Sequence, residues 1–480
     1  MAPDGGGGDQ GPTRTERDSM GELAVPAAAY YGASTQRAVD NFPISTLRLP
    51  RRLIEALGRI KAAAAETNSE LGLLEPGIAE AIAAAAREVA TGRWDQQFVV
   101  DIFQTGSGTS SNMNANEVIA NVALERLGLP PGSRDRIHPN DHVNRGQSSN
   151  DVFPTAIQLG ALDALRGDLL PALAELEAAL GDRQAAFWPV IKTGRTHLQD
   201  ATPIRLGQEF SGYAAEVARA RRLLAAAAAQ LEELPLGGTA VGTGIGRHPD
   251  FAARAIARLA VSTGAPGLHE STNHFQAQAS LDAVVSVAGA LRGTALALHK
   301  IATDLRLLGS GPRAGIGELE LPEVQPGSSI MPGKVNPVII ESLCMVVARV
   351  LGNDATIAFA AATGSLLELN VMLPVTGHAL LESTELLARA AVNFARRCVG
   401  GLRATGRGPE LLEQGLAICT GLVPAIGYDA AAAIAHEAHA SGRTVRAVAR
   451  ERSGLDDGRL DRLLDPSRLV EPGFEVPAGG

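Results

Sequence analysis

The segment Gly327–Pro337 places hydroxyl groups, glycines and a lysine in an order that suits the binding of an anion. It reads Gly-Ser-Ser-Ile-Met-Pro-Gly-Lys-Val-Asn-Pro. A P-loop has four residues between its first glycine and the Gly-Lys pair, and Ser or Thr follows the lysine. Here five residues fill that interval and Val335 follows Lys334, so the segment does not fit a P-loop.

The end of this segment predicts the start of a helix. Asn336 followed by Pro337 is typical of an N-cap and a first helical turn, and the helix would continue through Glu341. Lys334 beside the positive end of that helix predicts an anion site, on a loop that its glycines allow to move. The alternative is an ordinary polar loop that only caps the helix.

Two other segments are dense in hydroxyl and amide groups. Thr105–Asn114 opens a predicted helix at about Asn116, and its glycines let a ligand approach the backbone. The last two residues of Gln147–Asp151 could equally be plain N-caps. Neither Thr105–Asn114 nor the glycine-rich Gly242–Gly246 has the GxGxxG spacing, so a dinucleotide-binding fold is unsupported.

A fourth segment, Gly194–Asp200, carries His197 between Thr196 and Gln199. A lone histidine is more often structural than catalytic, although polar neighbours shift the balance toward function.

Other histidine pairs favour no metal site. Pro139 prevents a regular helix between His138 and His142. His436 and His439 lie three apart in an Ala-rich helix without a matching Cys or acidic pattern, so a solvated helix face is the better interpretation. The candidate residues therefore predict a site for a small anionic substrate with carboxylates, without a metal or cofactor.

Composition narrows the class of protein. Lys and Arg total 43 against 52 Asp and Glu, which gives a net charge of −9. This charge argues against a nucleic-acid-binding protein, which would show basic stripes. Because the whole chain is negative, a pocket that binds an anion must be locally positive. The chain has three widely spaced cysteines, no CxxC pair and no apolar signal sequence, which fits a cytoplasmic protein. Charges such as Asp282 and Arg292 interrupt the apolar windows, so we predict no membrane-spanning helix.

The elements that must position these residues are long helices. The leucines from Leu162 to Leu180 and the apolar residues from Val284 to Leu305 recur at steps of three and four, the packing edge of a helix bundle. Further helices are predicted over Arg51–Leu71, Pro337–Ala361 and Gly377–Val399, and one from about 212 to 233. The best β-rich stretch is Phe187–Lys192.

Gly, Pro and Asx clusters divide the chain. We predict a disordered tail over residues 1–13, an N-terminal helical domain over 14–146, a central long-helix bundle domain over 147–406 and a small C-terminal helical domain over 407–480. The long loops between the helices carry Ser, Thr, Asn and His, which favours function over disorder.

Together these segments resemble the fumarase/aspartase superfamily. Gly327–Pro337 is similar to its signature, and Thr105–Asn114, His138–Asn150 and Gly194–Pro203 are similar to its other active-site regions. Within the superfamily the chain resembles the class II (iron-independent) fumarate hydratases, because His197 stands where aspartases typically have Gln. Gly333 stands where they often have Ala, and the run Ser-Thr-Gln-Arg from Ser34 is also fumarase-like.

The resemblance runs from about Arg14 to about Leu464 and implies an all-α, three-domain fold. It implies a homotetramer whose central domains form a twenty-helix bundle, with each active site built from three subunits. The implied reaction is the reversible trans-addition of water to fumarate, giving L-malate, in the tricarboxylic acid cycle.

The resemblance also implies roles for individual residues. Ser328 would be the base, and His197, oriented by Glu341, would position the water together with Thr196. Substrate binding would fall to Ser107, Thr109, Ser148, Ser149, Asn150, Thr196, Lys334 and Asn336. His138, Asn140 and Asp141 match a peripheral dicarboxylate site.

The sequence departs from the family pattern at two places. Asp135 stands where some relatives have Arg, with Arg136 beside it, and Gly246 stands where relatives usually have Asn. The loss of an amide at Gly246 leaves open a substituted fumarate as substrate. Aspartate ammonia-lyase is the alternative enzyme, and a lens-type structural protein is the alternative outside enzymes. The intact Ser328, Lys334 and His197 argue against the structural alternative.

Overall fold

In a computed structural model, which describes residues 11–474 of the chain, α-helices make up most of the fold. The helices are α1 (Ala33–Asn41), α2 (Arg51–Glu70), α3 (Pro76–Ala90), α4 (Thr109–Arg126), α5 (Ser149–Ala164), α6 (Leu170–Phe187), α7 (Leu206–Ala229), α8 (Phe251–Thr263), α9 (His274–Ala279), α10 (Asp282–Leu308), α11 (Val338–Gly364), α12 (Leu373–Arg397), α13 (Arg407–Gln414), α14 (Val423–Ile426), α15 (Tyr428–Ser441), α16 (Val445–Arg452), α17 (Asp457–Leu463) and α18 (Pro466–Leu469).

Short strands form two-stranded pairs among these helices. They are β1 (Thr13–Asp18), β2 (Gly21–Pro26), β3 (Ile191–Thr196), β4 (Gln199–Arg205), β5 (Glu233–Leu234), β6 (His269–Glu270), β7 (Leu319–Glu320), β8 (Ser365–Leu366), β9 (Leu369–Asn370) and β10 (Arg403–Ala404). The pair β5–β6 is parallel, and the pairs β1–β2, β3–β4, β7–β10 and β8–β9 are antiparallel. The predicted all-α class is confirmed. Of the predicted tail, residues 1–10 lie outside the described residues, and Thr13 begins β1.

The long helices follow the apolar periodicity of the sequence. The seam from Val284 to Leu305 lies on α10 and is buried, because its steps of three and four keep it on one face. The leucines from Leu162 to Leu180 lie on α5 and α6, which a π-helical turn at Leu165–Leu169 joins. The predicted ranges of α2, α11 and α12 agree with the structure to within a few residues at each end.

Three predicted boundaries were wrong. The helix predicted from about 212 to 233 is α7, which begins six residues earlier, at Leu206, and ends at Ala229. α4 begins at Thr109 instead of near Asn116, because Gly108 serves as its N-cap with a φ of 75°. Glycine adopts this left-handed conformation readily, and a Cβ at Gly108 would lie 2.4 Å from the ring of Phe153. The β-rich stretch begins later than predicted, at Ile191, since α6 continues to Phe187.

The described chain divides into two compact units. The first comprises residues 1–170, 222–293 and 348–387, of which residues 11 onward are described, and the second comprises 171–221, 294–347 and 388–480, described to residue 474. The predicted three-domain division stays a prediction.

Within the first unit, α2 packs closely on α3. Gly58 lets the two backbones meet, because a Cβ there would lie 2.7 Å from the carbonyl oxygen of Ala86. Leu53 and Leu57 on α2 and Ile82 on α3 are fully buried. Within the second unit, the C-terminal helices enclose a core of their own, which includes Ile418, Leu422, Ile434, Val448, Leu460 and Leu463.

The helices α10 and α11 are long and apolar enough to cross a membrane by length and composition. The prediction that no helix spans a membrane stays a prediction. This property is weak evidence for a membrane, because core helices of other proteins share it. Large apolar side chains such as Leu296, Met345 and Phe359 are exposed on these helices.

Candidate active site

Two predicted substrate-binding hydroxyls lie together at the start of α4. The Oγ atom of Ser107 and the Oγ1 atom of Thr109 are 2.7 Å apart and hydrogen-bonded. Ser107 is buried and Thr109 is half-buried. Gly108 between them turns the backbone into the helix, so both hydroxyls lie at the positive end of α4.

The predicted donor residues Ser148, Ser149 and Asn150, here called the donor segment, begin α5. Ser148 is the N-cap, and its Oγ accepts a hydrogen bond from the backbone N–H of Asn150 at 3.2 Å. The carboxylate of Asp151 accepts the N–H of Ser148 at 2.8 Å, which completes a capping box. Asp151 thus supports the cap, and the helix does not begin with Asn150 or Asp151 as its N-cap.

Asp151 also fixes a second loop. Its other carboxylate oxygen accepts the N–H groups of Gly237 and Thr239 at 2.9 and 3.0 Å. The side chain is fully buried, and burial raises its pKa, although these three backbone donors oppose the rise. The amide of Asn150 donates to the carbonyl oxygen of Ala240 at 2.8 Å, so Asn150 and Asp151 both tie the start of α5 to this loop.

A buried polar network that the sequence did not predict lies behind the donor segment. The amide of Asn112 donates to Ser149 Oγ at 3.0 Å and to Asn144 Oδ1 at 3.2 Å. Lys61 Nζ donates to Asn144 Oδ1 at 2.8 Å and to Gln147 Oε1 at 3.0 Å. The lysine is fully buried, and burial lowers its pKa to about 7, opposed by the charge of Asp151.

One signal in the sequence points to Lys61. The residue stands on the buried stripe of α2 that includes Leu57, Ala64 and Asn68, at steps of four, three and four. A charged residue on such a stripe must be paired or hydrogen-bonded, which marks it for a role beyond packing.

In the second unit, Ser328 lies on the loop Gly327–Asn336, here called the serine loop. Its Oγ atom accepts hydrogen bonds from the backbone N–H groups of Ile330 and Met331 at 3.3 and 3.0 Å. The ends of the loop are joined by the N–H of Gly327 to the carbonyl oxygen of Lys334, and by the amide of Asn336 to the carbonyl oxygen of Gly327. The side chain of Asn336 therefore closes the loop, and α11 begins at Val338, just after Pro337.

Exposure distinguishes the serine loop from the donor segment. Ser328 is half-buried, whereas Lys334 and Ile330 are exposed, the latter to 84%. Glu341 stands exposed in the first turn of α11. Within residues 11–474, His197 and Glu341 share no hydrogen bond or ion pair, so the predicted orientation of His197 by Glu341 stays a prediction.

Thr196 and His197 lie at the tip of the hairpin β3–β4, here called the hairpin tip, residues 196–199. Thr196 pairs with Gln199, and the two residues between them, His197 and Leu198, have φ values of 56° and 60°. This left-handed pair makes the tight two-residue turn that β-hairpins favour, although neither residue is of the type that adopts it easily. All four residues are exposed.

Four charged side chains, here called the ion cluster, support the base of this hairpin: Lys192, Arg195, Glu209 and Glu318. Lys192 Nζ lies 2.8 Å from Glu209 and 3.0 Å from Glu318. Arg195 donates two hydrogen bonds to the two carboxylate oxygens of Glu318, at 2.8 and 3.1 Å. Burial works against the charge on Arg195, but the bonds to Glu318 outweigh it and the pKa of Arg195 is raised. Burial raises the pKa of Glu209, which Lys192 opposes.

Two of the three predicted peripheral residues line a cavity in the first unit, and Asp141 does not. His138 and Asn140 border a cavity of about 520 Å³, together with Arg17, Arg134 and Asp135. His138 Nδ1 accepts the N–H groups of Asn140 and Asp141, and lies 3.5 Å from the Asp141 carboxylate. The sequence left the basic residue of this predicted site uncertain, with Asp135 where some relatives have Arg and Arg136 beside it; the arginines that line the cavity are Arg17 and Arg134.

The two histidine pairs considered in the sequence lie on an irregular turn and on an exposed helix face. Residues 139–143 form a π-helical turn and no regular α-helix. His436 and His439 are exposed on α15. Across residues 11–474, no group of three or more His, Cys, Asp or Glu side chains is arranged to hold a metal ion.

Comparison with known proteins places this chain in a family. Residues 21–352 match the family model described as lyase, and residues 418–471 match the model described as fumarase C C-terminus. A fumarate hydratase class II from Methylorubrum extorquens is 51% identical, over 96% of this chain and 98% of that protein. The chain belongs to the class II fumarate hydratase family. It is therefore similar throughout to lyases of the hydro-lyase type.

Other relatives of the class II fumarate hydratase family agree in sequence and in structure. The fumarate hydratase class II of Halobacterium salinarum is 52% identical, over 96% of this chain and 98% of its own length. The crystal structure of class II fumarase from Schistosoma mansoni superimposes with a TM-score of 0.93 at 38% identity, covering 96% of this chain and all of that one. A fumarate lyase:delta crystallin from Brucella melitensis gives a TM-score of 0.92 at 48% identity, with 96% and 100% covered.

Proposed function

We propose that this chain catalyses the reversible trans-addition of water to fumarate, giving L-malate, as the hydratase step of the tricarboxylic acid cycle. The observation that carries the proposal is the environment of Ser328, whose Oγ accepts two backbone N–H groups. A serine hydroxyl is a poor base unless its alkoxide is stabilised, and such donors stabilise an oxygen anion.

Ser328 is the proposed base in the dehydration direction. Its alkoxide takes a proton from the carbon next to a carboxylate of L-malate, and the electron pair moves into that carboxylate to give an aci-carboxylate. As this pair returns to form the double bond of fumarate, the C–O bond of the neighbouring carbon breaks, and the hydroxyl leaves as water with a proton from the proposed His197–Glu341 pair. The N–H groups of Ile330 and Met331 and the ammonium of Lys334 favour the alkoxide. Lys334 and Asn336 are the proposed partners of the carboxylate on which charge accumulates.

Hydroxyl and amide donors hold the rest of the substrate in this proposal. Ser107 and Thr109 lie at the N-terminus of α4, and Ser148, Ser149 and Asn150 lie at the N-terminus of α5. Helix N-termini carry a partial positive charge and unpaired N–H groups, so both places suit carboxylates in a chain whose net charge is −9.

Thr196 and His197 are the proposed partners of the water molecule. A histidine beside a carboxylate is a suitable acid–base pair near neutral pH, and Glu341 is the proposed carboxylate. Both His197 and Glu341 are exposed in the single chain, which leaves them free to meet across a subunit boundary.

A homotetramer with active sites shared by three subunits is part of the proposal. Its support is the exposure of Leu296 on α10 and of Met345 and Phe359 on α11, since long helices that expose large apolar side chains need a partner surface. We further propose a cytoplasmic location and a second dicarboxylate site at His138, Asn140 and Asp141, supported by the cavity that contains Arg17 and Arg134.

The direct test follows the absorbance of fumarate with the purified protein, in buffer and again with ammonium. Loss without ammonium, with L-malate as the product, is the expected result. Loss that requires ammonium would replace the hydratase proposal with an aspartate ammonia-lyase. No loss in either condition would overturn fumarate as the substrate and direct attention to substituted fumarates and to Gly246. We expect activity to survive a strong chelator; loss that added iron or zinc restores would contradict a metal-free reaction.

A further inference from the structure

Lys61 is a fully buried charged residue for which the proposed mechanism has no role. Its side chain reaches from α2 to the loop before α5, where Asn144 Oδ1 and Gln147 Oε1 accept its hydrogen bonds at 2.8 and 3.0 Å. Taking an ammonium group out of water is unfavourable by several kcal/mol. The hydrogen bonds of Lys61 must compensate for this loss of hydration, and they therefore indicate its role.

The direction of each hydrogen bond from Lys61 is determined, because an ammonium group only donates. Asn144 must present its carbonyl oxygen to Lys61, and its NH₂ group then donates to the backbone oxygen of Gln147 at 3.2 Å. The same carbonyl oxygen lies 3.2 Å from the amide nitrogen of Asn112. Asn112 must consequently present its NH₂ group to Asn144.

This orientation of Asn112 determines what Ser149 can do. The second hydrogen of the Asn112 NH₂ group is directed to Ser149 Oγ, at 3.0 Å. Ser149 Oγ thus accepts a hydrogen bond from the Asn112 NH₂ group, and the hydrogen of its own hydroxyl remains available to donate. A reversed Asn112 amide would present its carbonyl oxygen to Ser149 and take up that hydrogen instead.

We propose that Lys61 is a positioning residue of the substrate site, which acts through Asn144 and Asn112 to keep the Ser149 hydroxyl a hydrogen-bond donor toward a carboxylate of the substrate. The inference rests on the proposed function, because it takes Ser149 to bind a dicarboxylate. Asp151 is the charged group that acts on Lys61 from α5, and the groups that accept its hydrogen bonds, Asn144 and Gln147, are neutral amides of the loop before α5.

The test is a double-mutant cycle with Lys61→Met and Ser149→Ala, measured as KM and kcat for fumarate. A hydrogen bond to a charged group that is present in both the bound substrate and the transition state affects KM more than kcat. We expect each single variant to raise KM about tenfold, and the double variant to raise it about tenfold as well. Effects that multiply to about a hundredfold would overturn the proposal.

Lys192 supplies the matched control. It is as buried as Lys61, but its partners are Glu209 and Glu318, which belong to the ion cluster. Lys192→Met shares no hydrogen-bond partner with Ser149→Ala, so we expect the effects of these two substitutions on kcat/KM to multiply. If these effects fail to multiply, loss of any buried lysine would couple to Ser149→Ala. The double-mutant cycle would then give no evidence that Lys61 acts through Ser149, and the proposal would be overturned.

A second variant covers the case in which Lys61→Met does not fold. Asn112→Ala removes both donors of the Asn112 amide and leaves the bonds of Lys61 to Asn144 and Gln147 in place. It should raise KM about tenfold and add nothing to Ser149→Ala. A multiplied effect in that pair would likewise overturn the proposal.

Failure of the proposed function would be recognised separately. If the wild-type protein does not hydrate fumarate, the same cycle is measured as the Kd of fumarate by calorimetry. Kd changes that do not multiply would support the role of Lys61 even then. Multiplied changes, or a wild-type protein that does not bind fumarate, would overturn it.

Discussion

The donor segment rests on side chains that are buried, whereas the serine loop holds Ser328 with backbone groups of exposed residues. Behind the donor segment, Lys61, Asp151 and Asn112 are buried and hydrogen-bonded. In the serine loop, the N–H groups that reach Ser328 Oγ belong to Ile330 and Met331, which are exposed. The difference indicates that the proposed substrate-binding hydroxyls are positioned by a buried network, whereas Ser328, the proposed base, needs a cover to exclude water.

The hairpin tip is exposed, like the serine loop, but its strands stand on buried side chains, like the donor segment. Thr196 and His197 are exposed, but the strands that carry them stand on the ion cluster, of which Lys192 and Glu318 are fully buried. The strands can thus hold His197, the proposed partner of the water molecule, in place while its side chain stays exposed.

The largest effect should come from the serine loop. Ser328→Ala removes the proposed base and should lower kcat about 10³-fold, because general base catalysis contributes in that range. Ser329→Ala is the matched control, since this exposed neighbour has no proposed role and should leave kcat nearly unchanged. The measurement is fumarate absorbance with the assembled protein. Full turnover by Ser328→Ala would contradict the assignment of the base.

The ion cluster offers the next largest effect, on stability. Glu318→Gln leaves Lys192 and Arg195 without their shared carboxylate and should reduce the free energy of unfolding by about 3 kcal/mol, as for other broken buried pairs. Glu320→Gln is the control, because its partner Arg403 is exposed and such pairs contribute little. Thermal unfolding midpoints of both variants would show the contrast. Equal unfolding midpoints for the two variants would mean that the buried ion cluster contributes no more to stability than the exposed Glu320–Arg403 pair.

A smaller effect concerns pH and the donor segment. Burial lowers the pKa of Lys61 to about 7, so the ammonium loses its proton as the pH rises through that value. The protonated form favours a dicarboxylate, and KM should therefore rise with pH above about 7, by at most ~10-fold per pH unit for one proton. The Lys61→Met variant should not show this rise of KM with pH. A rise caused by any other titrating group would remain in both the wild type and the variant. Parallel KM profiles for the two proteins would contradict a role for the Lys61 charge.

The smallest effect concerns the hairpin tip. Leu198 has a φ of 60° and is largely exposed, so Leu198→Gly relieves backbone strain without the loss of much packing. We expect a gain of about 0.5 kcal/mol in stability, since relief of the left-handed conformation exceeds the entropy cost of glycine. The turnover number should fall several-fold because His197 becomes less fixed. Leu367→Gly is the control: Leu367 has a φ of 52° in the turn of the hairpin β8–β9, and the substitution should stabilise the protein without a change in kcat.

Apolar periodicity was enough to predict the long helices. The seam of α10 and the ends of α2 follow from residue spacing, because a helix buries residues at steps of three and four. The start of α4 does not follow from spacing, since it depends on the contact of Gly108 with Phe153, which is distant in sequence. Local preference cannot reveal such a contact.

The candidate site divides in the same way. Motif resemblance predicted Ser328, His197 and the donor segment, and the roles of these residues remain predictions. Lys61 was missed because its purpose depends on Asn144 and Asn112, which other parts of the chain bring to it. The N-cap at Ser148 was missed because Asn150 and Asp151 are equally good capping residues by type.

The turn at His197 and Leu198 has a consequence for directed evolution. A library screened for heat resistance alone would favour Asn or Gly at these two positions, because they adopt left-handed backbone conformations more easily than His or Leu. Each such winner would survive heating and hydrate less fumarate. Screens on this chain should therefore measure both turnover and stability for each variant, or leave positions 197 and 198 unchanged.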